Sequence, residues 1–205
     1  MQQSCKGFLI DLINLYGSDN FKDESSTYKS IKEFLEKFLS KFNCYSSKRT
    51  EPKPDIICCS RDLKSLLLIE VKKFTSEEFN LEYLKFSREN KKYLILFSKE
   101  RKRVGSLEDG KNANKDGIGQ LKRYYKDCFH KNRDKGIYSI LTNGRIWVVF
   151  QFLPENEEEL KKEEIINVFD LNLQEDCCEF LKFLNGINNG KEIQVFPHIE
   201  VIYSK

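Results

Sequence analysis

The fold is decided by the stretch KRTEPKPDIICCSRDLKSLLLIEVKK, which spans residues 48–73. Two prolines near its start exclude a helix. Residues 56–59 and 66–72 are short, apolar and rich in β-prone side chains, whereas residues 61–64 have the composition of a turn. The stretch therefore predicts a β-hairpin whose second strand is central and buried.

The second strand of this hairpin carries charges that an apolar strand rarely holds. Alternation along a strand puts Glu70 and Lys72 on the same face as Leu66 and Leu68. Removing such charges from water costs several kcal/mol each, roughly, unless partners or a metal compensate. Asp55 lies on the neighbouring strand. Two carboxylates with a backbone carbonyl form a site suited to Mg²⁺; a buried Glu70–Lys72 ion pair, or a strand end that reaches solvent, is the structural alternative.

Outside the hairpin, periodicity and turn residues predict further helices and strands around one mixed sheet, an α/β fold. The first helix has an apolar face, and Glu24 lies on the side of that face. Residues 142–144, Thr-Asn-Gly, predict a tight turn between two strands. The expected helices are 20–42, 116–129 and 174–184, and the expected strands outside the hairpin are 93–97, 137–141, 145–150, 165–171 and 192–203.

Length and composition favour a single domain over the whole of residues 1–205. Seven cysteines without a C-x-x-C pair, and only two histidines, argue against structural zinc. Most of the cysteines are expected in the core, and a disulfide stays open. Without an N-terminal signal or an apolar run of transmembrane length, the sequence predicts a soluble, cytoplasmic protein that does not enter a membrane.

Charge is distributed unevenly along the chain. Residues 91–135 hold 14 Lys or Arg against 6 Asp or Glu, a balance of +8, and residues 151–185 hold 3 against 10, a balance of −7. The basic segment is a candidate for binding a polyanion. A solvated surface is the alternative for both segments.

Pro54-Asp55 followed by Glu70-Val71-Lys72 resembles the motif of the PD-(D/E)xK nuclease superfamily. Gln120-Leu-Lys-Arg-Tyr124 fits the Q-x-x-x-Y motif of one branch of that family. Thr-Asn-Gly at 142–144 with Trp147 looks like the hairpin in the N-terminal nuclease domain of type I restriction enzyme motor subunits. The resemblance covers about residues 20–152, leaving 153–205 as a C-terminal elaboration. It implies a restriction-endonuclease-like core, a central mixed β-sheet flanked by helices.

The resemblance also implies a role for each residue that matches the motifs. The metal ligands would be Glu24, Asp55, Glu70 and the carbonyl of Val71. The catalytic residues would be Asp55, Glu70, Lys72, Gln120 and Tyr124, with Gln120 orienting Lys72 or the scissile phosphate and Tyr124 supporting the site or the DNA backbone. The expected cofactor is Mg²⁺, for which Mn²⁺ can substitute.

DNA is the expected substrate, with RNA left open, and endonuclease action is expected over exonuclease action. The expected nucleic-acid-binding residues are Lys99, Arg101, Lys102, Arg103, Lys115, Lys122 and Arg123. Phosphate contacts from such residues give affinity that is independent of sequence and falls with salt. A homodimer, or a separate motor or accessory protein, is compatible with this reading. Two other functions stay open: a nucleic-acid-binding module that does not cut, and a non-enzymatic partner subunit that docks through its acidic C-terminal region.

Overall fold

The computed structural model of the chain describes residues 7, 10–11, 24–46, 53–72, 84–87, 92–95, 117–129, 136–154 and 160–190. The elements bounded within these residues are α1 (Glu24–Phe38), β1 (Phe42–Ser46), β2 (Ile56–Ser60), β3 (Ser65–Val71), β4 (Leu84–Ser87), β5 (Lys92–Ile95), α2 (Gly117–Phe129), β6 (Gly136–Thr142), β7 (Ile146–Pro154), β8 (Leu160–Asp170) and α3 (Gln174–Asn188). The expected strand at 192–203 lies outside them.

Six strands form a mixed sheet in the order β1-β2-β3-β6-β7-β8. Strands β3 and β6 are parallel, and the other neighbours in this sheet are antiparallel. The hairpin predicted within residues 48–73 is confirmed as β2 and β3, and β3 occupies a central position as expected. Parallel neighbours need a long crossover, which here contains α2.

Helices cover both faces of this sheet, which makes the fold mixed α/β as predicted. Leu67, Ile69 and Val71 of β3 belong to the hydrophobic cluster that contains the apolar faces of α1 and α3. Leu66 and Leu68 belong to a second cluster, with the apolar face of α2. The alternation predicted for β3 is therefore confirmed, and it assigns the face of Leu66 and Leu68 to α2.

The turn between β6 and β7 is fixed by its own side chains. Thr142 Oγ1 donates to the Ile146 carbonyl at 2.8 Å and accepts from the Gly144 N–H at 2.9 Å. Asn143 Oδ1 accepts from the Ile146 N–H at 2.8 Å, and Trp147 Nε1 donates to the Gly144 carbonyl at 2.8 Å. Gly144 has φ 91°, a conformation that favours glycine. The predicted Thr-Asn-Gly turn is confirmed, and its bonds hold the end of β6 rigidly.

The first helix is shorter than predicted, because it ends at Phe38 and Phe42 begins β1. Leu39 and Phe42 are buried, although Phe42 reaches the core from a strand. The spacing of Phe42 from the apolar residues of α1 fits the helical period, but the pairing of β1 with β2 determines the conformation of Phe42.

The expected strand at 93–97 is described as β5, Lys92–Ile95, but β5 pairs with β4 in a separate two-stranded sheet. The expectation that one sheet contains all the strands is therefore wrong. Apolar composition identified this segment as a strand, and it carries no information about which strand pairs with it.

Cysteines supply one covalent bond inside the sheet. Cys44 of β1 and Cys58 of β2 are directly opposite in the strand register and form a disulfide. Cys178 on α3 is also disulfide-bonded, whereas Cys59, Cys128 and Cys177 are thiols. The disulfide left open by the sequence therefore exists, and it joins β1 to the strand that follows Asp55.

Candidate active site

Asp55 is attached to the end of β3 by its carboxylate. It follows the buried Pro54 and immediately precedes β2. Since Ile56 pairs with Ile69, the antiparallel register continued by one residue puts Asp55 beside Glu70. Asp55 Oδ2 accepts a hydrogen bond from the Val71 N–H at 2.8 Å. The two acids expected to act together are thus adjacent across the hairpin.

Glu70 and Lys72 form an ion pair where β3 ends. Lys72 Nζ lies 2.8 Å from Glu70 Oε1, and the two side chains are 13% and 5% exposed. The Lys72 N–H donates to the Thr142 carbonyl at 2.8 Å, which extends the pairing of β3 with β6 by one residue. This hydrogen bond fixes the Lys72 backbone, so the Lys72 side chain extends from a defined position at the end of β3.

Gln120 links α2 to this ion pair. Its side-chain oxygen, Oε1, accepts a hydrogen bond from Lys72 Nζ at 2.6 Å. The ammonium of Lys72 therefore donates both to Glu70 on its own strand and to Gln120 on the helix. The sequence expectation that Gln120 lies where it can orient Lys72 agrees with this contact.

Tyr124 lies one helical turn beyond Gln120 and is 4% exposed. Burial raises the pKa of Tyr124, and the negative charges of Glu70 and, to a smaller extent, Asp55 raise it further. A hydrogen bond with the Arg123 side chain lowers the same pKa. The Arg123 guanidinium carbon lies 5.2 Å from the centroid of the Tyr124 ring, within range of a cation–π contact. The Tyr124 phenol is thus influenced both by the acids and by a cation.

More polar groups meet at the end of β3 than a structural ion pair requires. Glu70 alone would be costly in this position, and Lys72 offsets that cost. Asp55, Gln120 and Tyr124 converge on the same strand end from two other elements. A stable core needs none of these polar groups, because apolar residues of similar volume stabilise a core at least as well.

The donor set fits Mg²⁺. Asp55 and Glu70 supply two carboxylates and Val71 supplies a carbonyl at the end of β3. Mg²⁺ is commonly held by one or two carboxylates while water and substrate phosphate complete its shell. Among the residues that the structure describes, no group of three His, Cys, Asp or Glu residues could hold a metal. Glu24, the expected additional acid, is the first residue of α1, and its side chain lies outside those residues.

Most of the expected DNA-binding residues are not described. Lys99, Arg101, Lys102, Arg103 and Lys115 lie outside the described ranges. For Lys122 the structure describes only its place on α2. Arg123 is described, and it is half-buried beside Tyr124.

Two contacts of the β6–β7 turn were not predicted from the sequence. The Thr142 carbonyl holds the Lys72 backbone. The Arg145 guanidinium binds both carboxylate oxygens of Asp170 at 2.9 Å, which ties the β6–β7 turn to the end of β8. The Thr-Asn-Gly signal located the turn, but only the parallel pairing of β3 with β6 brings it beside Lys72.

No described helix has the length and apolar character needed to cross a membrane. No protein-family model matches the chain, and neither a curated protein nor a solved structure matches it.

Proposed function

We propose that the protein is a metal-dependent nuclease of the PD-(D/E)xK kind that hydrolyses DNA phosphodiester bonds. The observation that carries the proposal is the meeting of Asp55, Glu70, Lys72 and Gln120 where β3 ends. The same residues carry the sequence resemblance, which extends to a restriction-endonuclease-like core and to the nuclease domain of type I restriction enzyme motor subunits.

In this proposal Asp55, Glu70 and the Val71 carbonyl hold Mg²⁺, with Glu24 binding directly or through water. When bound, the metal would supply Lewis acidity for polarising a phosphate and activating a water. Asp55 is already held by the Val71 N–H, and Glu70 by Lys72. Both carboxylates are therefore kept at the strand end before a cation arrives, which reduces the entropy lost on binding.

Lys72 is the proposed electrostatic catalyst. Phosphodiester hydrolysis builds negative charge on the phosphoryl oxygens, and a fixed ammonium stabilises that charge. Gln120 keeps Lys72 Nζ in place from α2, at 2.6 Å. Gln120 is thus a positioning residue in this proposal, because it acts through Lys72.

Arg123 is proposed to contact the DNA backbone next to the scissile phosphate, with the buried Tyr124 supporting its guanidinium. The Arg123 guanidinium lies over the Tyr124 ring, and the negative charge of Glu70 raises the pKa of Tyr124. A planar guanidinium binds phosphate through parallel hydrogen bonds. The basic residues at 99–103, 115 and 122 would add affinity that falls with salt.

The test is cleavage of supercoiled, linear and single-stranded DNA by the purified protein with Mg²⁺, Mn²⁺ or EDTA. We expect cleavage that requires metal and is reduced at least a thousandfold in Glu70→Gln and Lys72→Met. The matched control is the exposed ion pair of Glu179 and Lys182 on α3, 2.6 Å apart, in which Glu179→Gln and Lys182→Met should cut normally.

A single-stranded RNA of matched sequence distinguishes the substrate class. Salt-dependent DNA binding without metal-dependent cleavage would favour a binding module that keeps the fold without cutting. Absence of both cleavage and DNA affinity would overturn the proposal and favour a non-enzymatic partner subunit.

A further inference from the structure

A second candidate site lies at the opposite end of the sheet. A cavity of about 400 Å³ is lined by the start of β3 at Ser65 and the start of β6 at Gly136. These parallel strands end at the candidate active site, seven residues further along β3 at Lys72. With a rise of about 3.3 Å per strand residue, the two sites are roughly 23 Å apart. The cavity is therefore separate from the cluster around Lys72.

Cations outnumber anions among the residues that line the cavity. Lys41, Arg61 and Lys64 contribute three positive charges against the single carboxylate of Asp62, a balance of +2. Asp62 Oδ1 accepts from the Lys64 N–H at 3.1 Å, so this carboxylate is engaged with its own turn. Within the part of the chain that the structure describes, Arg61 makes no ion pair. The cavity therefore presents excess positive charge to a ligand.

Neutral groups complete the walls. Lys41 donates its N–H to Asn188 Oδ1 at 2.9 Å and its ammonium to Asn189 Oδ1 at 3.3 Å, so amides hold this cation without neutralising it. Tyr138 on β6 is half-buried and offers an aromatic surface in the same lining. Small-molecule sites occupy roughly 300–1,000 Å³ and combine apolar walls with a few polar groups.

We propose that this cavity binds a phosphomonoester of nucleotide size, with Arg61 and Lys64 on the phosphate and Tyr138 beside the sugar or base. Arg61 suits a phosphate because its guanidinium forms paired hydrogen bonds, and Lys64 adds a point charge from the same turn. Tyr138 gives a flat apolar contact that suits a nucleoside. The inference does not depend on the proposed nuclease activity.

The experiment is calorimetric titration of the full chain with deoxyadenosine 5′-monophosphate in EDTA, which prevents metal-mediated binding at Asp55 and Glu70. Arg61→Ala/Lys64→Ala should weaken binding at least tenfold. Lys182→Ala, which removes an exposed lysine of α3 outside the lining, should bind as the wild type does. All three changed residues are exposed, so far-ultraviolet circular dichroism should stay unchanged in each variant.

A short oligonucleotide with and without a 5′-phosphate identifies the source of the phosphomonoester. Loss of affinity for the nucleotide in Arg61→Ala/Lys64→Ala supports a free nucleotide. Loss confined to the phosphorylated oligonucleotide supports the phosphate at a strand end. No binding of either probe by the wild type, or equal weakening in Lys182→Ala, overturns the proposal.

Discussion

The carboxylate of Asp55 accepts a hydrogen bond from the backbone N–H of Val71, with Oδ2 and N 2.8 Å apart. This contact attaches the residue before β2 to the last residue of β3, between Glu70 and Lys72. One carboxylate oxygen thus stabilises the hairpin, and the same group is a metal ligand in the proposed function. Substitutions at Asp55 can therefore separate stability from activity.

Asp55→Asn should fold nearly as well as the wild type, because an amide oxygen can accept the same N–H. Asp55→Ala should lose about 1–3 kcal/mol of unfolding free energy, because Val71 is fully buried and its N–H would lack this acceptor. Both variants should lose metal-dependent cleavage. Urea unfolding followed by the fluorescence of Trp147, the single tryptophan, measures the first effect. Equal destabilisation of the two variants would contradict this role of the hydrogen bond.

Lys72→Met should destabilise the protein by about 3 kcal/mol, since it removes the cation that accompanies a buried carboxylate. Adding Glu70→Gln should restore part of that loss, because the remaining buried group is then neutral. A double-mutant cycle on the unfolding free energy gives the coupling energy. Glu179 and Lys182 provide the exposed reference, where the coupling should be below about 1 kcal/mol. Equal coupling in the two pairs would show that burial does not strengthen the Glu70–Lys72 pair.

Removing the Cys44–Cys58 disulfide should cost about 3 kcal/mol, the chain-entropy expectation for a loop of roughly 15 residues. Cys178 is also disulfide-bonded, so dithiothreitol acts at more than one place. The contribution of this bond is isolated by comparing the wild type with Cys44→Ala/Cys58→Ala, each with and without reductant. The double variant should show a smaller loss of thermal stability on reduction. An unchanged loss would assign the reductant's effect to Cys178.

Stability should fall in alkaline solution, in part through Cys177. Burial, followed by the charges of Asp176 and Asp170, raises the pKa of Cys177 to about 11 from an ordinary value of 9. The folded state thus favours the neutral thiol, which donates to the Leu171 carbonyl at 3.0 Å. The contribution of the neutral Cys177 thiol to the unfolding free energy is complete below pH 9 and is lost as the pH rises through about 11. Cys177→Ala should flatten the decline of unfolding free energy between these values, and parallel curves would contradict the assignment.

The sequence predicted the β2–β3 hairpin and the face shared by Glu70 and Lys72, because alternation and turn residues are local signals. It did not predict β1, since Phe42 continues the apolar period of α1 and its strand conformation depends on pairing with β2. Local sequence patterns also could not predict these contacts between residues that are distant in the sequence. The Cys44–Cys58 bond depends on strand register, and the contact of Lys72 with Thr142 depends on a parallel pairing.

The parallel pairing of β3 with β6 also constrains how the protein can be made. Asp55, Glu70 and Lys72 are synthesised well before Gly136–Thr142, the only described strand that pairs with the other edge of β3. Until β6 leaves the ribosome, the apolar segment Ser65–Val71 is an open strand edge that can pair with another chain. Closing this contact brings together residues that are far apart in the sequence, which slows folding. A nascent chain that stops before residue 136 would therefore be prone to aggregate through the same strand that carries Glu70.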